Sequence, residues 1–413
     1  MSIQSEQTQA SQSGLKRYVI IGAGIAGVSA AEAIRKADPE GSILLLSSEH
    51  ELPYFRMSLT RYLAGEVSED KLHLHPESWY VENRIDLHIE TKVVEIFPVN
   101  KTVLLEDGSQ VAYDKLILAA GASPFVPPIQ GTGMKGVQTL RTIGDAHAIL
   151  QACQEPINVV CIGGGLLGLE VAGAIARHGV RVTIVESLPW LLPRQLDQPA
   201  SAILQDKIEA MGIQVIVGAK TLALVGEEHV RGVQLEDGRL LPAELVVISA
   251  GVNANLELAR SAGLQVNRGI MVDEHMRTSD PDIFAAGDDC EYHGRLYGLW
   301  MPAKSQGTIA GQVAAGKEAE FPGDPPSAKL KVLGIDLFSI GQFTPQEPED
   351  TLLVDTKEGC YASFLLRGGI LIGAILLGDA SLANAVKKAV DTKRDFSLQL
   401  AKGSTVEDLI RSL

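Results

Sequence analysis

Two clusters of glycine carry the first chemistry that can be read from this chain. Gly22-Ala23-Gly24-Ile25-Ala26-Gly27 and Gly163-Gly164-Gly165-Leu166-Leu167-Gly168 share the spacing G-x-G-x-x-G. Glycine at those places permits a tight turn, close approach of the backbone to a pyrophosphate, and close packing of a helix on a sheet. In each copy an acid, Glu49 or Glu186, follows about 20 residues beyond the last glycine. A carboxylate at that distance accepts hydrogen bonds from an adenosine ribose, so the pattern implies two bound dinucleotides. Glu51 competes with Glu49 for the ribose in the first copy. Glu186 repels a 2′-phosphate, and no arginine follows it in Ser187-Leu188-Pro189-Trp190, which favours NADH over NADPH at the second site.

The elements that must hold these loops are legible around them. An apolar strand over 18–21 leads into the first cluster, a helix over 28–36 follows, and a second strand runs over 43–46. The same grammar returns with a strand over 159–162, a helix over 169–178 and a strand over 181–185. One such glycine motif is weak evidence, but two complete copies exclude ordinary turns. The helix N-terminus in each copy offers unpaired N–H groups to phosphate.

Composition narrows the class further. The chain has 413 residues, 46% hydrophobic and 21% charged, with no glycine period, which excludes disordered, collagen-like and coiled-coil proteins. A net charge of −15 argues against nucleic acid or an acidic membrane as default partner. No stretch is long and apolar enough to span a bilayer, and residues 1–13 form a polar Ser/Gln-rich tail without a signal sequence, so the expected compartment is the cytoplasm. The four cysteines, Cys153, Cys161, Cys290 and Cys360, do not make a disulfide scaffold.

With these motifs the chain resembles the two-dinucleotide flavoproteins known as pyridine nucleotide–disulfide oxidoreductases. The resemblance extends from Leu15 to about Asp391 and includes 113–122 (Tyr-Asp-Lys-Leu-Ile-Leu-Ala-Ala-Gly-Ala) and 278–288 (Thr-Ser-Asp-Pro-Asp-Ile-Phe-Ala-Ala-Gly-Asp). It implies an α/β fold of two Rossmann-like domains and a C-terminal α+β interface domain. The FAD domain would be discontinuous, 15–125 and 250–320, around an NAD domain at 126–249, with the interface domain at 321–413 and a disordered tail at 1–14. The expected FAD contacts are Gly22, Gly24, Ala26, Gly27, Glu49, Arg56, Val94, Ala120, Gly121, Gly287, Asp288 and Gln306. Those for NADH are Gly163, Gly165, Leu167, Gly168, Glu170, Glu186 and Gly251. Asp288 matches the aspartate that bonds the ribityl chain, and Glu170 a glutamate near the nicotinamide. Ala120 departs from the family threonine, and Ala254 departs from the family's Pro-Asn at 253–255. Neither change removes a charged contact.

Absences select the branch. Disulfide members of the family carry a Cys-x4-Cys pair soon after the first β-α-β unit, and peroxidase, oxidase and coenzyme A disulfide reductase members a single cysteine just before a Pro-Tyr element. Yet Ser48-Glu49-His50-Glu51-Leu52-Pro53-Tyr54 has none, and no cysteine precedes Cys153. The last histidine is His293, so the C-terminal region lacks the acid–base histidine that thiol chemistry needs. The segment 53–60 (Pro-Tyr-Phe-Arg-Met-Ser-Leu-Thr) instead resembles ferredoxin and rubredoxin reductases, with Met57 in place of a proline. The stretches 191–197, 329–339 and 373–379 resemble NADH:rubredoxin reductases and the flavin module of nitrite reductases. Arg56 is then a clamp on the FAD pyrophosphate. A helix from Pro302 to Ala315 would point its N-terminus at the flavin, with Trp300 either covering the ring or packing in the core.

No side chain is expected to do covalent chemistry, so no residue is assigned as catalytic. His73-Leu74-His75 lacks a third ligand, and no metal is expected. From Phe321 onward there are ten basic against twelve acidic residues, leaving −13 on the rest. Within that region Lys387, Lys388, Lys393 and Arg394 form either a solvated face or a docking patch for a small acidic redox protein. The expected activity is transfer of electrons from NADH through FAD to a protein such as rubredoxin. The alternatives are the electron-input subunit of a nitrite reductase and a non-catalytic NADH sensor that binds FAD.

Overall fold

The computed structural model describes residues 14–323, 327–357 and 359–412. The expected tail lies outside the described residues except for Gly14. In chain order the elements that matter begin with β1 (Arg17–Ile21), α1 (Ile25–Ala37), β2 (Ser42–Leu46), α2 (Leu59–Leu63), β3 (Ile85–His88) and β4 (Lys115–Leu118). They continue with β5 (Val137–Gln138), β6 (Asn158–Ile162), α3 (Leu166–Ala176), β7 (Arg181–Val185), α4 (Gln198–Ala210), β8 (Gln214–Ile216) and β9 (Leu245–Ile248). After β10 (Ile283–Ala285) and α5 (Trp300–Ala314) come β11 (Ser327–Val332), β12 (Ile335–Gly341), β13 (Asp350–Lys357), β14 (Cys360–Arg367), β15 (Ile370–Leu377) and α6 (Ala383–Asp391).

The chain divides into two compact units, Met1–Met57 with Glu69–Ser123 and Val252–Asp324, and Ser58–Ser68 with Pro124–Gly251 and Pro325–Leu413. The first is built on a parallel sheet ordered β10-β4-β1-β2-β3. Its inner strands β1, β2 and β4 are largely apolar without alternation because both faces are covered, whereas the edge strand β3 (Ile-Asp-Leu-His) alternates. Tyr18 and Ile20 of β1 enter one buried cluster with Ile34 of α1 and Ala310 of α5, whereas Val19 and Ile21 enter another with Leu116, Leu118 and Ile283. Each such fully buried aliphatic side chain stabilises the fold by roughly 1.5–3 kcal/mol.

The second unit repeats the plan with a parallel sheet ordered β8-β7-β6-β9-β5. The repeat goes deeper than the glycine motifs. A three-stranded antiparallel meander (Val93–Phe97, Thr102–Leu105, Gln110–Ala112) precedes β4, and another (Thr221–Gly226, Val230–Leu235, Leu240–Pro242) precedes β9. The same unit holds an antiparallel sheet ordered β11-β12-β15-β14-β13, whose core joins Phe338, Phe364, Leu376, Val386 and Phe396. Asp197 ties α4 to this sheet: it caps Ala200 N–H at 3.0 Å and accepts the Tyr361 hydroxyl at 2.6 Å.

The three helices begin before the positions expected from periodicity. Helices α1 and α3 start at Ile25 and Leu166, with Gly24 and Gly165 as extended N-caps, so the last glycine of each motif lies in the first turns. Helix α5 starts at Trp300, which places Pro302 in the first turn, where a missing N–H costs no intrahelical bond.

Candidate functional site

The first glycine loop is a close backbone fit. Gly22 has φ +103°, and a β-carbon there would lie 2.1 Å from the Ala119 carbonyl oxygen. A β-carbon on Gly27 would lie 1.9 Å from the oxygen of Gly22. Gly24, by contrast, faces open space and caps α1 with no side-chain hydrogen bond, leaving the first N–H groups of the helix for a ligand. Helix α1 is in turn pressed against α5. β-carbons on Gly307 and Gly311 would lie 2.1 and 2.4 Å from the oxygens of Ala26 and Ala30.

Beside this loop two turns converge. Gly121 (φ +68°) follows β4, and Asn255 holds it by donating Nδ2 to the Ala120 oxygen at 2.8 Å. Gly287 (φ +107°) follows β10 and donates its N–H to Gln306 Oε1 at 3.0 Å. Gln306 is buried, yet its Nε2 has no partner among the described residues. Asp289 is 0% exposed, and neither carboxyl oxygen has a side-chain partner among the described residues. Burial pushes this carboxyl well above the usual carboxylate range, and the N–H groups of Asp289 itself, Ala120 and Gly121 offset only part of that. An orphaned buried donor at Gln306 and a buried carboxyl without a side-chain partner, beside an open phosphate cradle, fit a polar cofactor that supplies the missing partners. The pair Gly287-Asp288 was legible in the sequence. Asp289 was not, although an acid set between Asp288 and Cys290 in a buried run was the available signal.

Asp288 is half-buried and its charge reaches Arg56. Arg56 itself is paired: Nη2 lies 2.5 Å from Glu49 Oε1, and Nη1 donates to the Tyr54 hydroxyl at 2.8 Å. Tyr54 completes the triangle by donating to Glu49 Oε2 at 2.7 Å. The expected ribose acid and phosphate clamp therefore already hold one another. Ala26 is buried in the first turn of α1, and Val94 is 41% exposed on its strand. The indole of Trp300 stacks on Phe55 at 6.1 Å between centroids, with the Lys304 ammonium 5.4 Å from the ring.

The second loop repeats the backbone. Gly163 has φ +117° and a β-carbon there would lie 2.3 Å from the Ser249 oxygen, while one on Gly168 would lie 2.0 Å from the oxygen of Gly163. Gly165 faces open space as the N-cap of α3, and Gly251 (φ +109°) follows β9 as Gly121 follows β4. Leu167 is exposed in the first turn. The acid is placed differently from its counterpart. Glu186 is 7% exposed and accepts N–H bonds from Gly164 at 2.6 Å and Leu188 at 2.7 Å. Glu170 accepts the Leu333 N–H at 2.9 Å, and burial pushes its carboxyl upward, with Glu66 adding to the shift.

Burial, not distance, sets the thiols apart from this chemistry: Cys290 directly follows Asp289, and Cys161 lies two residues before Gly163. Cys153, Cys161 and Cys290 are buried, and burial pushes the first two up to about 11 and about 12. Such thiols are inert at neutral pH. His75 is bonded to Glu32 at 2.7 Å and stacked on Trp79 at 3.8 Å, and no cluster of three metal-ligating side chains occurs among the described residues. In the basic cluster Lys387 pairs with Asp391 at 2.7 Å, and Arg394 donates to the Ser412 oxygen while lying over Phe396.

Residues 16–307 match the pyridine nucleotide-disulphide oxidoreductase model, and residues 326–394 match the rubredoxin NAD+ reductase C-terminal domain. The chain belongs to the pyridine nucleotide-disulphide oxidoreductases. It is 36% identical over 93% of its length to a nitrite reductase [NAD(P)H] of Bacillus subtilis, of which it spans 48%. An NADH-rubredoxin oxidoreductase of Clostridium acetobutylicum is 33% identical over 92% of this chain and 96% of that one. Among solved structures, the putidaredoxin reductase–putidaredoxin complex superposes with a TM-score of 0.83 at 29% identity, covering 92% of this chain and 93% of that one. The chain thus spans about half of the nitrite reductase and nearly all of the rubredoxin oxidoreductase. Among the described residues no helix is long and apolar enough to cross a membrane.

Proposed function

We propose that the chain is an NADH-dependent flavoprotein reductase that passes electrons to a small redox protein of the rubredoxin or ferredoxin kind. The observation that carries this reading is the pair of equivalent phosphate cradles, of which only the first adjoins orphaned buried polar groups among the described residues. FAD belongs at the first and NADH at the second. When bound, FAD would supply the exchange between a two-electron hydride and single electrons. The chain's own residues bind, orient and exclude water. The N-termini of α1 and α3 receive the pyrophosphates, Gly22, Gly27, Gly163 and Gly168 let the backbones approach, and Arg56 offers its guanidinium to FAD phosphate on exchange from Glu49. Asp288, Gln306, Ala120 and Gly121 hold the ribityl chain and ring, with Ala26 and Val94 beside them. Glu186 receives the NADH ribose and Gly251 flanks the nicotinamide, while Glu170 orients its carboxamide.

In this reading the discontinuous FAD domain is 15–125 with 250–320, the NAD domain 126–249, and the partner-facing domain 321–413. Lys387, Lys388 and Lys393 remain the acceptor's basic contacts. Arg394, spent on Ser412 and Phe396, serves the domain's own stability. Steady-state turnover with NADH against a panel of rubredoxin, a ferredoxin and ferricyanide tests the reading. Rapid turnover with one of the two protein acceptors is expected, and Lys387→Glu/Lys388→Glu/Lys393→Glu should raise its apparent KM about fivefold while ferricyanide reduction is unchanged. Turnover with ferricyanide alone would contradict the reading. A second reading, the electron-input module of a nitrite reductase, is favoured by the 36% identity to that Bacillus subtilis protein. It requires that a nitrite-reducing centre outside the 413 residues, and not rubredoxin, reoxidise the protein.

A further inference from the structure

Helix α3 carries another glycine, Gly173, beyond the loop, and the space in front of it is filled. A β-carbon there would lie 1.7 Å from Leu333 Cδ2. Leu333 stands at the tip of the β11–β12 hairpin with φ +52°, a left-handed conformation that a non-glycine residue holds only when its surroundings impose it. Two contacts impose it here. The side chain caps Gly173, and the peptide N–H donates to Glu170 Oε1 at 2.9 Å, three residues earlier on the same helix face. Around Glu170 the other charged groups are Glu66 and Arg177, which are themselves paired at 2.9 Å. One oxygen of a long, otherwise mobile carboxylate is therefore fixed from outside the NAD-binding sheet.

We infer that Leu333 is a positioning residue for hydride transfer: the hairpin tip docks on Gly173 and fixes the Glu170 carboxylate for the nicotinamide carboxamide. This rests on the proposed role of Glu170. A side chain ordered in advance loses little freedom when the ligand arrives, and its second oxygen stays available for the amide.

Gly173→Ala should push Leu333 off the helix and break its bond to Glu170 without touching either loop. Gly173→Ala/Leu333→Ala makes room again and keeps the peptide N–H at position 333. Should rotation of Leu333 absorb the methyl group added at position 173, Leu333→Asp opens the tip instead by setting a second carboxylate against Glu170. Hydrogen exchange at the 331–336 amides, measured without nucleotide, reports whether the tip is docked. Stopped-flow bleaching of the FAD-loaded protein by NADH reports its effect. The expected result is fast exchange in the opened variant, a limiting rate lower by roughly 10- to 100-fold with a smaller change in NADH affinity, and recovery of both readouts in the double variant. A docked wild-type tip, fast exchange in the opened variant and an unchanged bleaching rate would overturn the inference while leaving the proposed function standing. Unprotected 331–336 amides in the wild type would overturn it as well. Failure of NADH to bleach the wild-type flavin would instead overturn the proposed function, and this inference with it.

Discussion

The two glycine loops are nearly the same object in backbone and quite different objects in surroundings. Gly22 and Gly163 share a left-handed φ, and a β-carbon on either would lie within 2.3 Å of a carbonyl oxygen. Each is followed by an uncapped helix and an antiparallel meander. The differences are in the acids and the covering elements. Glu49 is shared between the Arg56 and Tyr54 side chains, whereas Glu186 is bonded to the N–H groups of its own loop. Helix α1 is covered by α5 through Gly307 and Gly311, while α3 is covered by a hairpin tip at Gly173. Among the described residues, only the first site adjoins orphaned buried polar groups, at Gln306 and Asp289. The comparison teaches that one phosphate cradle was used twice in different surroundings, which the proposed function reads as a cofactor-retaining shell around the first and an exchangeable ligand's shell around the second.

The largest effects that could break this comparison come from the glycines. Gly22→Ala and Gly163→Ala each add a strained φ and a backbone clash, together roughly 2–5 kcal/mol. Gly22→Ala should yield protein without flavin, read by absorbance after gel filtration. Gly163→Ala should keep the flavin and lose its bleaching by NADH. If both variants lost flavin equally, the division of labour would be wrong.

Asp289 gives the next test. Its folded carboxyl stays protonated above the ordinary carboxylate range, where the unfolded chain has already ionised. The folded state then binds more protons than the unfolded one, so stability falls as pH rises until the folded group itself ionises. The slope is at most about 1.4 kcal/mol per pH unit. Asp289→Asn should flatten that fall in denaturant midpoints measured across the pH range. An equal slope in both proteins would place the proton elsewhere. A smaller effect separates the two acids. Glu186→Ala strands the Gly164 and Leu188 N–H groups and should cost about 1–3 kcal/mol of unfolding free energy, whereas Glu49→Ala, which breaks an ion pair whose side chains are 28% and 32% exposed, should cost about 1 kcal/mol.

Much of this was legible because period and punctuation are local. The apolar runs 18–21 and 159–162 became β1 and β6, and the glycine spacing marked both turns. Helices α1 and α3 start three residues before the expected positions because capping by Gly24 and Gly165 is a backbone geometry, without a side-chain cap to betray it. The pairing of Arg56 with Glu49 is hidden for a different reason: each residue type suits a ligand group, and the chain alone does not say that such groups satisfy each other first. Leu333 was out of reach altogether, since Glu170 and Gly173 stand about 160 residues away along the chain and only packing brings them together.

The most direct measurement of the central claim is an anaerobic stopped-flow mix of the FAD-loaded protein with NADH, followed by a second mix with oxidised rubredoxin. The account predicts that the flavin bleaches with one equivalent of NADH. The absorbance should then return as two equivalents of rubredoxin are reduced. Flavin that bleaches but returns only with oxygen or a disulfide substrate, or that NADH leaves oxidised, would contradict it.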